Sequence, residues 1–184
     1  MNLAWLPNAI TGVRILLIAP VLLLILSAEY GLALLLFIVA GFSDGLDGYL
    51  AKRYGWHTRL GALLDPVADK LLIAGLFLTL TSVGHIPLWL TVTVISRDLI
   101  ILGGATAYNF LIGPVPGEPT MISKLNTALM LLFVTLLLCR LSFAWPDAMT
   151  LVVLGAATFV TVVVSGVDYV LSWSRRAREQ RAGS

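Results

Sequence analysis

Six long apolar stretches, at roughly residues 8–28, 31–53, 59–83, 87–110, 122–140 and 148–173, leave little of this chain outside them. Crossing a hydrocarbon layer as a helix takes about 20 residues, and each stretch is long enough. A segment in lipid must satisfy its own backbone hydrogen bonds, which a helix does without a partner. A soluble alternative fails on composition. Of 184 residues, 59% are apolar and only 12% charged, against about half and about a quarter in globular proteins. A core of this size cannot hide that much apolar surface from water. The expected fold is therefore all-α and integral to a membrane. It has six transmembrane helices, preceded by a short interfacial segment around Leu3 and Trp5.

The dividers between stretches are Glu29-Tyr-Gly, the segment from Lys52 to Arg59, Gly84-His-Ile-Pro, a Gly/Pro-rich run over 113–119, and Trp145-Pro-Asp147. Basic residues in short loops set orientation, because they stay on the cytoplasmic side. With six spans, one side carries Lys52, Arg53, Arg59, Lys124, Arg175, Arg176, Arg178 and Arg181, and the other carries Arg140 alone. Both termini are expected in the cytoplasm of a multi-pass inner-membrane protein. The predicted domain organisation is one transmembrane domain over 1–175 and a basic cytoplasmic tail over 176–184 that touches anionic lipid. A net charge of +2 gives no reason to expect a nucleic-acid partner. The single cysteine, Cys139, excludes an internal disulfide and a cysteine zinc cluster.

Several charges lie inside the spans. Asp44 and Asp47 fall in the second, Asp65, Asp69 and Lys70 in the third, Arg97 and Asp98 in the fourth, and Asp168 in the sixth. A charged side chain near mid-bilayer costs about 2.5 kcal/mol or more unless it is paired, hydrated or metal-bound, so such residues are functional candidates. Asp44 and Asp47 are three apart and Asp65 and Asp69 four apart, so each pair shares a helix face. The loop between these helices is short, and an antiparallel hairpin brings both acidic faces to its cytoplasmic end. Four gathered carboxylates repel one another, and a hard divalent cation is the partner that oxygen donors hold best. Gly45, Gly48, Ala51, Gly61 and Ala62 border these faces and open a slot beside the backbone.

The run Asp44-Gly-Leu-Asp47-Gly48-Tyr-Leu-Ala51-Lys52, followed by Gly61-Ala-Leu-Leu-Asp65-Pro-Val-Ala-Asp69, resembles the signature of the CDP-alcohol phosphotransferase family. That signature reads D-x-x-D-G-x-x-A-R and then G-x-x-x-D-x-x-x-D. The one departure is Lys52 in place of the usual Arg, with Arg53 immediately after it. The resemblance implies transfer of a phosphatidyl group from a CDP-linked lipid, usually CDP-diacylglycerol, with release of CMP. It implies two magnesium or manganese ions on Asp44, Asp47 and Asp65, with Asp69 completing the site and acting as general base. Gly48, Ala51, Lys52 and Gly61 fall where the family binds the CDP moiety. The opening Pro7-Asn8-Ala-Ile-Thr11-Gly-Val-Arg14 resembles the family's P-N-x-x-T-x-x-R pattern, which sets Asn8, Thr11 and Arg14 on one stripe beside the nucleotide. A homodimer is expected from family resemblance alone.

The acceptor alcohol differs among subfamilies. Ser96-Arg97-Asp98 and Ser123-Lys124-Leu-Asn126-Thr127 look like the CMP-forming cardiolipin synthases, which join phosphatidylglycerol to CDP-diacylglycerol. Phosphatidylglycerophosphate synthases, which use glycerol 3-phosphate, usually have A-R-E and G-K-x-K-T there. One lysine fewer suits a singly charged phosphodiester better than a nearly doubly charged phosphomonoester. Arg97 and Lys124 are the expected acceptor-phosphate ligands. Neighbours on a helix point about 100° apart, so Arg97 and Asp98 are not expected to need each other. A cation or proton transporter, the rival of a different class, would spread its acidic groups across the membrane depth. These four gather toward one side.

Overall fold

The structure, a computed structural model, describes the backbone of residues 6–54, 59–111 and 121–182 and the side chains of residues 12–43, 68–104, 106, 121–169 and 171. Six helices follow one another among the described residues: α1 (Leu6–Leu26), α2 (Tyr30–Tyr54), α3 (Arg59–Ser82), α4 (Leu88–Leu111), α5 (Met121–Phe143) and α6 (Ala148–Ala182). Among the described residues there is no strand. The first five helices end within a few residues of the apolar runs. Helix α6 continues to Ala182 instead of stopping near 173, because the Arg, Glu, Gln and Ala of the tail are good helix formers that hydropathy does not register.

The chain divides into two compact units, Met1–Ile86 with Val134–Asp147, and Pro87–Phe133 with Ala148–Ser184. In the first, α1 packs against both α2 and α3. Val21, Ile25, Ala33, Phe37, Leu76 and Phe77 form its buried interior. At Gly75 α3 packs closely on α1: a Cβ there would lie 3.0 Å from Leu22 Cδ1. The Tyr30 hydroxyl and His85 Nε2 are hydrogen-bonded at 2.9 Å, which ties the start of α2 to the segment after α3. In the second unit α4 packs on α6, with Leu90, Val94, Met130, Phe133 and Val162 buried. Trp89 and Phe159 meet edge to face at 5.2 Å.

Outward-facing positions are as apolar as inward-facing ones. Leu16, Phe42 and Leu102 are each more than 60% exposed, and so are Leu23, Met149 and Val152. Met121–Phe143 and Ala148–Tyr169 are long and apolar enough to cross a membrane, yet only 33% and 22% of their most apolar windows are buried. A helix in the core of a soluble protein would be mostly buried, so these faces suit hydrocarbon as their solvent. Within the described side chains, α1 and α2 contribute the apolar stretches Gly12–Leu26 and Tyr30–Ser43.

Two helix ends close by the same device. After α1, Ala28 takes a left-handed conformation (φ 61°); its N–H bonds to Ile25 C=O, and the Glu29 N–H reaches back to Leu24 C=O at 2.8 Å. After α3, Gly84 (φ 82°) does the same, with His85 N–H on Leu80 C=O at 2.8 Å. This is the Schellman arrangement, which satisfies terminal carbonyls and favours glycine at the left-handed position. Alanine at position 28 therefore carries steric cost. Ala28→Gly is expected to stabilise the folded chain by about 1 kcal/mol, read as a higher unfolding midpoint in detergent micelles. An unchanged or lower midpoint would count against this reading of the helix end.

Candidate active site

Arg14 is a charged residue in a helix whose remaining described positions are almost all apolar, and it is 1% exposed. Its Nη1 donates to Asp69 Oδ1 at 3.1 Å, joining α1 to α3. The carboxylate side is 49% exposed, so the pair has one buried and one open end. Arg14, expected beside the nucleotide or its phosphates, bonds through its guanidinium to the aspartate expected to be the general base. A guanidinium bonded to one carboxylate oxygen fixes the plane of the other, which is what a base that must meet a substrate hydroxyl requires. The signal was present in the sequence, since a cation in a first span needs a partner, but nothing there chose among the acids.

The other first-unit site residues are placed only by their helices. The side chains of Asp44, Asp47 and Asp65 lie outside the described residues, as do those of Asn8, Thr11, Ala51 and Lys52, and no contact of Gly48 or Gly61 is described. The backbones of Asp44 and Asp47 are in α2, and those of Asp65 and Asp69 in α3, so both spacings fall on helix as expected. The donor set is all carboxylate oxygen, and that chemistry fits a hard divalent cation.

In the second unit Arg97 is the hub. It is 5% exposed. Nη1 donates to Asp98 Oδ1 at 2.7 Å, and Nη2 donates to Ser123 Oγ at 2.8 Å and Ser165 Oγ at 2.6 Å. The Tyr169 ring lies 5.9 Å from the guanidinium carbon. Arg97 and Asp98 do pair, which helix geometry alone did not require, because a long arginine side chain reaches past the 100° between neighbouring Cβ directions. Lys124 is exposed on α5, next to the Ser123 that holds Arg97.

Ser165 and Tyr169 were not singled out by the sequence. They are four apart on α6 and share a face, and a Cβ on Gly166 between them would make ordinary contact with Arg97 Cγ at 3.6 Å. Asn126 is 0% exposed, and its Oδ1 accepts from Thr161 Oγ1 at 3.0 Å. Asn126 thereby ties α5 to α6.

Comparison with known proteins follows the same residues. The family described as CDP-alcohol phosphatidyltransferase matches residues 4–166. A cardiolipin synthase (CMP-forming) of Rattus norvegicus is 36% identical over 180 residues, which are 89% of this chain and 59% of the rat protein. A probable phosphatidylglycerophosphate synthase of Mycobacterium tuberculosis is 34% identical over 179 residues, 92% of this chain and 81% of that protein. A CDP-diacylglycerol--glycerol-3-phosphate 3-phosphatidyltransferase of Bacillus subtilis is 32% identical over 189 residues, 89% of this chain and 92% of the relative. The chain spans about three fifths of the length of the animal cardiolipin synthases it matches.

Proposed function

Because this chain belongs to the CDP-alcohol phosphatidyltransferase family, we propose that it transfers the phosphatidyl group of CDP-diacylglycerol to phosphatidylglycerol, forming cardiolipin and releasing CMP. The observation that carries this reading is the family match over residues 4–166, which encloses both halves of the acidic signature from Asp44 to Asp69. The acceptor assignment is supported by the rat relative and by the Ser96-Arg97-Asp98 and Ser123-to-Thr127 segments.

In this mechanism Asp44, Asp47, Asp65 and Asp69 would hold two magnesium or manganese ions, which would supply positive charge against the pyrophosphate and the departing CMP. Gly48, Ala51, Lys52 and Gly61, with Asn8 and Thr11, receive the CDP moiety. Asp69, oriented by Arg14, accepts the proton of the acceptor hydroxyl as its oxygen bonds to the phosphatidyl phosphorus and the bond from that phosphorus to CMP breaks. Arg97, braced by Ser123 and Ser165, and Lys124 bind the acceptor's phosphodiester. The chain crosses an inner membrane six times with both termini in the cytoplasm, a reading supported by eight loop and tail basic residues on one side against Arg140 on the other. The acidic site lies at the cytoplasmic end, and residues 176–184 form a basic cytoplasmic tail.

A second reading has specific support. The two bacterial relatives described above are named for phosphatidylglycerophosphate synthesis and match over more of their own length. Glycerol 3-phosphate would then be the acceptor. The purified chain in mixed micelles, given CDP-diacylglycerol with either acceptor alone, separates the two. Cardiolipin and CMP from phosphatidylglycerol are expected, with no product from glycerol 3-phosphate, and the opposite pattern would transfer the assignment. Chelation is expected to stop CMP release, and magnesium or manganese to restore it; turnover that persists in excess chelator would remove the metal from the mechanism. Ion flux in proteoliposomes without CMP release would favour a transporter instead.

A further inference from the structure

Helices α4 and α6 enclose a groove of about 480 Å³ between them. Its walls run from Val92 to Ile100 on one helix and from Val162 to Leu171 on the other. At 1.5 Å per residue this is about 12 to 14 Å of helix. Six of the ten lining residues are aliphatic, with Val163 and Val167 exposed along it. Thr93, Ser96, Arg97 and Gly166 complete the wall, and Asp98 is not part of it. The groove therefore meets the arginine of the Arg97–Asp98 pair and not the aspartate. Arg97 is 5% exposed, and its Nε has no hydrogen-bond partner among the described residues.

An apolar trough and a buried guanidinium in its wall ask for different things from a ligand. The trough fits a hydrocarbon chain, and the guanidinium fits a phosphate oxygen. A soluble phosphate has no use for the trough, and a neutral apolar partner has no use for the charge. A phospholipid has both parts. We propose that the α4/α6 groove seats one acyl chain of the acceptor phospholipid and thereby holds its phosphodiester beside Arg97. This rests on the reading of phosphatidylglycerol as acceptor. The donor is assigned elsewhere, because its pyrophosphate matches the four aspartates.

The groove selects by position. A chain already in a bilayer gains little by exchanging lipid tails for valine side chains, which are equally apolar. What it gains is register: the reacting hydroxyl is carried on a lipid whose tail is fixed, which converts a wandering encounter into a directed one. At Gly166, which also lines the groove, a Cβ would make ordinary contact with Arg97 Cγ at 3.6 Å.

The test uses the purified full chain in mixed micelles with CDP-diacylglycerol and either dioleoyl- or dihexanoyl-phosphatidylglycerol. Val163→Trp and Val167→Trp are expected to lower kcat/KM for the dioleoyl acceptor by about tenfold and for the dihexanoyl acceptor by less than about twofold. The KM for CDP-diacylglycerol should not move. A second measurement needs no variant: phosphatidylglycerol with a diazirine in one chain should label the wild-type segments 92–100 or 162–171. Unlabelled phosphatidylglycerol should compete, and phosphatidylcholine should not. Equal loss with both acceptors, no loss with either, or a raised KM for CDP-diacylglycerol would overturn the proposal. So would labelling that phosphatidylcholine displaces equally, which would mean ordinary bilayer lipid only. Cardiolipin made with no such chain dependence sinks the groove alone, whereas no cardiolipin from phosphatidylglycerol sinks the acceptor reading and the groove with it.

Discussion

Asp69→Asn is expected to bind CDP-diacylglycerol and to lose turnover by about a thousandfold, the usual scale for removing a positioned general base. The substitution keeps the shape of the side chain and an oxygen for Arg14, whose Nη1 bonds to Asp69 Oδ1 at 3.1 Å. It removes the negative charge. Arg14 is 1% exposed and cannot turn to water, so some stability is lost as well. Breaking a buried ion pair from one side costs about 3 to 5 kcal/mol. Here asparagine keeps the hydrogen bond and the acid side is half exposed, so about 2 kcal/mol is the expected loss. Protection by CDP-diacylglycerol against thermal unfolding would establish that the variant is folded and binds its donor. A folded, fully active Asp69→Asn enzyme would end the assignment of Asp69 as base.

Substitution of Arg97 should divide by chemistry. Arg97→Lys keeps a charge but has no planar fork, and a single ammonium cannot reproduce three bonds aimed at Asp98, Ser123 and Ser165. The KM for the acceptor is expected to rise by about tenfold, with the KM for CDP-diacylglycerol unchanged. Arg97→Ala goes further. It takes a guanidinium from two serine hydroxyls and from Asp98 in a weakly polar interior, and about 3 kcal/mol of stability should go with it. An Arg97→Lys enzyme with wild-type acceptor KM, or with the loss in donor KM, would show that Arg97 is a structural brace only.

Much of the architecture was legible in the sequence because hydropathy is a local property. The expected boundaries of the third and fourth stretches, 59–83 and 87–110, lie within one residue of Arg59–Ser82 and Leu88–Leu111. The same measure missed the end of α6, since a helix past Trp173 is carried by propensity. The acidic signature was legible because its chemistry depends on spacing along two helices, and spacing is written in the chain. The partners of the isolated charges were not. Arg14, Asp69, Arg97 and Ser165 are 55 and 68 residues apart within their pairs, and no pattern along the chain ranks one distant partner over another.

The sequence by itself determined that this chain forms long helices suited to lipid and that two of them carry four aspartates at fixed helical intervals, because both facts follow from residue type and local period. Only the tertiary structure decided that Arg14 points at Asp69 and that Ser165 steadies Arg97. It also decided that a valine-lined trough opens beside that guanidinium. The physical reason is that a buried charge is stabilised by whichever polar group the packing of separate helices brings within about 3 Å, and that proximity exists only once the helices are assembled.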